Sequence, residues 1–111
     1  MKTDLDDRAR YPTGLVAEFL NIKPKTLINY ENVGLIETRR SKTGRRLFSR
    51  KDVFRLELIR YFITVKRLKF ASIKLLLTLL NAADKRGINL YDEVIDSKRL
   101  NKMIKAARED I

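Results

Sequence analysis

The chain has no cysteine and no histidine among its 111 residues. Without cysteine there is no disulfide framework, no thiolate metal site and no cysteine nucleophile, and without histidine the commonest metal ligand and general base is also gone. The carboxylates are scattered, and no two share a helix face in a way that would assign acid and base roles. These absences argue against an enzyme and leave no residues that call for a cofactor. A long hydrophobic run is missing too. The richest stretch, Val53 to Val65, is interrupted by Arg55, Glu57 and Arg60, so nothing here is expected to cross a bilayer core. The opening "MKTDLDDRAR" offers no apolar segment for a secretory signal. The expected location is the cytoplasm.

What the chain does have is positive charge. The formal net charge is +11, and it is unevenly spread: residues 1–83 hold 18 basic and 8 acidic side chains, whereas 84–111 hold 7 and 6. A basic front and a nearly balanced tail indicate a polyanion-binding surface on the first part. The densest stretch is "TRRSKTGRRLFSRKD". From Arg39 to Lys51 it carries seven Lys or Arg residues and no acid, so a partner from outside the chain is expected to neutralise them. The charges fall on a predicted hairpin and not on one face of an amphipathic helix, which argues against a membrane-surface role. Few aromatics are interleaved with them, which argues against a single-strand stacking platform.

At this length one core is expected, and an apolar fraction of 44% is that of a globular chain. Residues 1–10 lack apolar periodicity and are expected to form a flexible N-terminal tail. In "YPTGLVAEFLNI", Leu15, Val16, Phe19, Leu20 and Ile22 sit near helical spacing, giving a first helix over about 14–20 with Thr13 as its N-cap. Pro24 suits a first turn, so "PKTLINYENVG" reads as a second helix that Gly34 ends. Two short helices joined by "NIKP" outline a helix-turn-helix. Next come two extended pieces, "LIETRR" and "RRLFS", around "SKTG" with Gly44 at the tip: a two-stranded wing. Its strands are too short and charged to stand alone, so Ile36, Leu47 and Phe48 are expected to pack on the helices. Ser49 and Asp52 form a capping-box start for a long, heavily buried helix to about Arg67. A further helix spans about Phe70 to Leu80, with a break at Gly87. In the tail, Tyr91, Val94 and Ile95, then Leu100, Met103, Ile104 and Ala107, form an amphipathic pattern interrupted near Ser97.

Assembled in order, "VAEFLNIKPKTLINYENVGLI" leading into "GRRLFSRKDVFRLELI" resembles the MerR family of bacterial transcription regulators over about residues 11–80. The matching pieces are Val16-Ala17, "KTL", Tyr30-Glu31, Gly34-Leu35, and Arg46, Phe48, Ser49 and Asp52. The resemblance implies a mainly α, winged helix-turn-helix domain at 11–81, preceded by the 1–10 tail and followed by a C-terminal helical tail at 82–111. It implies double-stranded DNA as partner, with the second helix in the major groove and the basic wing on phosphates whose neutralisation releases counterions. It further implies a homodimer, and RNA polymerase or another protein as a further partner. The tail either pairs with its twin or folds back onto its own domain. A separate effector domain is not expected in what remains of the chain.

On the second helix Lys25, Ile28, Asn29 and Asn32 share one face, opposite Leu27. Asn29 suits a bidentate pair with adenine, and Lys25 and Thr26 suit a guanine or a phosphate. The family usually carries an arginine and then an aromatic where this chain has Ile28 and Asn29. Ile28 either meets a thymine methyl or turns inward. Tyr30 either offers its hydroxyl to a phosphate or packs under the wing. Arg45 and Arg46 match the wing best, with Arg39, Arg40 and Lys42 in support and Lys66 and Lys69 as a second phosphate grip. Thr13 completes the DNA-contacting set. At about six contacts per protomer the log-log salt slope is steep, about −0.9 per contact. The alternative is an excisionase-like recombination accessory, or a nucleoid-organising protein built on the same fold.

Overall fold

The computed structural model describes residues 4–111. Among these residues six helices share one core, and a small sheet caps one end. In chain order they are β1 (Tyr11–Pro12), α1 (Thr13–Leu20), α2 (Pro24–Asn32), β2 (Arg39–Arg40), β3 (Arg46–Phe48), α3 (Arg50–Thr64), α4 (Phe70–Lys85), α5 (Tyr91–Val94) and α6 (Ser97–Lys105), after which Ala106–Asp110 form a π-helical turn. The architecture is the mainly α, winged helix-turn-helix one. The hairpin of β2 and β3 is joined by a third strand, because β1 pairs antiparallel with β3, Tyr11 opposite Phe48, giving the order β1-β3-β2.

Local chemistry accounts for most element ends. Pro24 opens α2, where its missing N–H costs nothing. Gly34 closes it at φ +80°. The Leu35 amide donates to the Tyr30 carbonyl at 2.9 Å and the Gly34 amide to that of Glu31 at 3.0 Å. This pairing satisfies two carbonyls the helix leaves open and turns Leu35 straight into the core, where it is fully buried. The start of α3 is the expected capping box: Ser49 Oγ accepts from the Asp52 amide at 3.0 Å, and Asp52 Oδ2 accepts from the Ser49 amide at 2.9 Å. Ser49 is completely enclosed, so no water could substitute for either bond. Thr13 does not cap α1. It is the first helical residue, the cap position falls on Pro12, and no side chain serves there; Pro12 and Tyr11 are held instead by pairing with β3. Helix α3 ends at Thr64, short of Arg67, which adopts a left-handed φ of 56° in the reversal toward α4. Helix α4 continues past Leu80 to Lys85 before Gly87 turns the chain.

The core is built around α3, whose Val53, Phe54, Leu56, Leu58, Ile59, Tyr61 and Phe62 are all buried. Against it lie Val16 and Ala17 of α1, Leu27 and Tyr30 of α2, Ile73, Leu77 and Leu80 of α4, and Phe48 of β3. Each fully buried large apolar side chain contributes about 1.5–3 kcal/mol relative to exposure. The C-terminal segment folds back onto this core: Leu100, Ile104 and Ala107 stand one turn apart and are 0%, 4% and 0% exposed. Arg99 lies 5.0 Å from the Tyr61 ring centre, and the Arg50 guanidinium donates to the Ala107 carbonyl at 3.5 Å. The stretch expected to be a loose N-terminal tail is tied down from Asp6 onward. The Lys51 amide donates to the Asp6 carbonyl at 3.2 Å, the Arg10 amide to that of Phe48 at 3.0 Å, and Leu5 packs on the core. Met1 to Thr3 lie outside the described residues. No helix among the described residues is long and apolar enough to cross a membrane.

Candidate nucleic-acid interface

Helix α2 buries Leu27 and Tyr30 and turns a polar face outward. On that face Lys25, Asn29 and Asn32 are exposed and Ile28 and Thr26 are half-buried. Of the two readings of Tyr30 the structure takes the packed one, though against α4 rather than beneath the wing. Its ring meets Phe70 edge-on at 6.3 Å, and its hydroxyl accepts from Arg60 at 3.4 Å. With 3% exposure it has no open path to a phosphate.

The wing shows why counting charges along a segment misleads. Its root is neutralised from within the molecule. Glu31, on α2, accepts from Arg46 Nε at 2.8 Å and from the Thr38 hydroxyl, and Arg40 stands 3.9 Å away. Those hydrogen bonds, Thr38 first and then Arg46, hold the Glu31 carboxyl below its usual range. Arg39 bonds the Asp7 carbonyl and carboxylate, the latter at 3.3 Å. The expectation that nothing in the chain answers these arginines is therefore corrected. The answering carboxylates come from α2 and from the N-terminal segment, not from the basic stretch itself. At the tip the picture differs. Lys42 and Arg45 are exposed and form no ion pair among the described residues, and the same holds of Lys66 and Lys69 in the reversal between α3 and α4.

Glu31 was among the residues that carry the family resemblance but not among the candidate DNA-contacting ones. It ties the polar helix to both strands of the wing, making α2 and the hairpin one unit. Glu31 lies 15 residues before Arg46, and no local spacing marks the pair.

A family model described as MerR HTH family regulatory protein matches residues 11–80. The chain belongs to the MerR family. No curated protein matches the chain. The MerR assignment makes this a DNA-binding domain of a kind that regulates transcription. It spans β1 through most of α4, so the α2 face, the wing and the Glu31 clamp all fall within it, whereas α5, α6 and the terminal turn lie beyond.

Proposed function

We propose that the chain is a sequence-specific, double-stranded DNA-binding transcription regulator that lays α2 in the major groove and sets its wing on the flanking phosphates. The observation that carries this reading is the Glu31 clamp. By joining α2 to Thr38, Arg40 and Arg46 it holds the base-reading face and the cationic hairpin in one orientation, which a groove of fixed width requires. Asn29 reads an adenine, Lys25 and Thr26 a guanine or a phosphate, and Ile28 offers a half-buried methyl edge to a thymine. Lys42, Arg45, Lys66 and Lys69 neutralise phosphates. Arg46 has a different part: its Nε is spent on Glu31, which orients the guanidinium so that its terminal nitrogens can take a phosphate. Arg39 and Arg40 chiefly fix the wing root.

Action on DNA places the protein at the nucleoid in the cytoplasm, as a pair of copies on a two-fold site. On this reading the pair forms through a surface other than the tail's apolar stripe, a reading supported by the burial of Leu100, Ile104 and Ala107 in their own core. A protein partner such as RNA polymerase would then act on the bound pair.

Selection from random duplexes, followed by binding at several salt concentrations, tests this. A palindromic consensus is expected, with a log-log salt slope that falls by about two when Lys42 and Arg45 are both replaced by Gln. Flat enrichment with an unchanged slope would instead favour an architectural or recombination role for the same fold.

A further inference from the structure

A second concentration of positive charge lies away from the α2 face. A cleft of about 610 Å³ opens between the segment joining α2 to β2, the first turns of α3 and the length of α4. Arg39, Lys51, Arg55, Lys74 and Lys85 line it. A smaller cavity continues it along α4, sharing Arg55, Asn81 and Lys85 and adding Arg86 with no carboxylate.

Three carboxylates also border the larger cleft, and two are already engaged. Asp7 holds Arg39, and Asp52 caps α3. Glu37 is exposed on the rim. None forms an ion pair with Arg55, Lys74, Lys85 or Arg86. Arg55 is the notable member because it is half-buried. Its Nε donates to the Leu35 carbonyl at 2.8 Å, which aims the guanidinium, and among the described residues its terminal nitrogens have no hydrogen-bond partner. Burial pushes its pKa down, an effect that Tyr91, Asp52 and Glu37 offset only in part; a guanidinium stays charged at neutral pH, and a partly desolvated charge is costly. Lys74 reaches over Gly34, where an added Cβ would stand 3.0 Å from the ammonium nitrogen. The glycine that ends α2 thus leaves space that the Lys74 ammonium occupies beside the cleft. A fork-shaped cation flanked by two ammonium groups is the arrangement that suits phosphate oxygens.

We propose that this cleft binds a phosphorylated small molecule, with its phosphate groups held by Arg55, Lys74 and Lys85 and its outer end met by Arg86. Thr38 and Arg39, at the root of the wing, form part of the cleft wall, and Thr38 is bonded to Glu31. Occupancy therefore bears on the segment that links α2 to the hairpin. The proposal stands on the cleft's own geometry and does not depend on the DNA reading.

Pyrophosphate, titrated into the purified full chain by calorimetry with chloride matching the ionic strength, is the probe. Binding with a dissociation constant on the order of 1 mM or tighter is expected, together with a raised Tm. The double variant Lys74→Gln/Lys85→Gln removes two exposed cations that support no ion pair, so the free protein should melt unchanged. Its pyrophosphate affinity should drop roughly tenfold or more, as loss of two charge-assisted contacts requires. Arg55→Lys keeps the charge but loses the fork, and should weaken pyrophosphate by a similar factor. Three outcomes would overturn the proposal: no binding beyond the chloride control, binding that the double variant leaves intact, or a loss of duplex affinity in that variant as large as its loss of pyrophosphate. The last would assign the cleft to the DNA backbone. Duplex affinity kept within about twofold supports a separate site.

Discussion

The wing and the C-terminal segment are both appendages to the α3-centred core, and they are fastened by opposite physics. The wing is held by a carboxylate. Glu31 gathers Thr38, Arg40 and Arg46, and Asp7 gathers Arg39, all at partly exposed positions. The tail is held by apolar burial, with Leu100, Ile104 and Ala107 enclosed and one weak polar bond from Arg50. Exposed ion pairs contribute little individually and weaken with salt. Buried leucines are indifferent to salt and costly to remove. The wing is thus fastened by contacts that salt weakens, and the tail by contacts that salt leaves in place.

The contrast can be broken most forcefully at the tail. Leu100→Ala should lower stability by about 2–5 kcal/mol, measured by urea unfolding, with little dependence on salt. Duplex affinity well below the new midpoint should change little. If it collapses as well, tail and wing are not separable.

A second effect falls where the tail meets α3. Glu57, on α3, has one buried carboxylate oxygen with no hydrogen-bond partner. Burial first, and the nearby Asp110 carboxylate second, push its pKa up to about 8. The folded state therefore holds a proton that the unfolded chain releases near its ordinary value of 4.5. Stability from this group is full below that value and is lost as pH climbs from about 4.5 to about 8. A Tm falling by several degrees across that window is expected, and Glu57→Gln should flatten the profile. A profile unaltered by the substitution would place the proton elsewhere.

At the wing the effect should be smaller in stability and larger in binding. Glu31→Ala strands Arg46 and Thr38 at a cost of about 1–3 kcal/mol. It should weaken all duplexes by roughly tenfold, more so at low salt. Unchanged binding would mean that the hairpin needs no tether. Smallest in total affinity, and sharpest in kind, is Asn29→Ala on the exposed face of α2. It should cost about 1–3 kcal/mol of discrimination at one base pair and leave the other positions as they were.

Much of this molecule was legible in its chain because the informative signals were local. Pro24 and Gly34 bracket α2, Ser49 and Asp52 reciprocate across one turn, and "SKTG" turns the hairpin, each by backbone rules that act over a few residues. Thr13 misled for the same reason. A threonine before an apolar run is a fair N-cap, but here the pairing of Tyr11 and Pro12 with β3, more than thirty residues away, sets where α1 begins. The acidic partners of the wing were not legible either. Glu31 and Asp7 sit 15 residues before Arg46 and 32 before Arg39, and no spacing rule links groups brought together by the packing of separate elements. The interruption before α6 was visible at Ser97, and the structure shows Asp96 as the cap, accepting from the Arg99 amide at 2.9 Å. Which surface the tail's stripe would cover was not visible at all, since an amphipathic pattern states that a face must be buried and not against what.

By itself the sequence determined where α2 starts and stops and where α3 starts, that the front of the chain is strongly cationic, and that thiol and imidazole chemistry are absent. These follow from residue type and near-neighbour geometry. Only the tertiary structure decided which cations remain free, which face of the tail is spent on the core, and that Arg55, Lys74 and Lys85 share one cleft. Charge neutralisation and burial depend on distances through space, and folding sets these between residues that the chain keeps far apart.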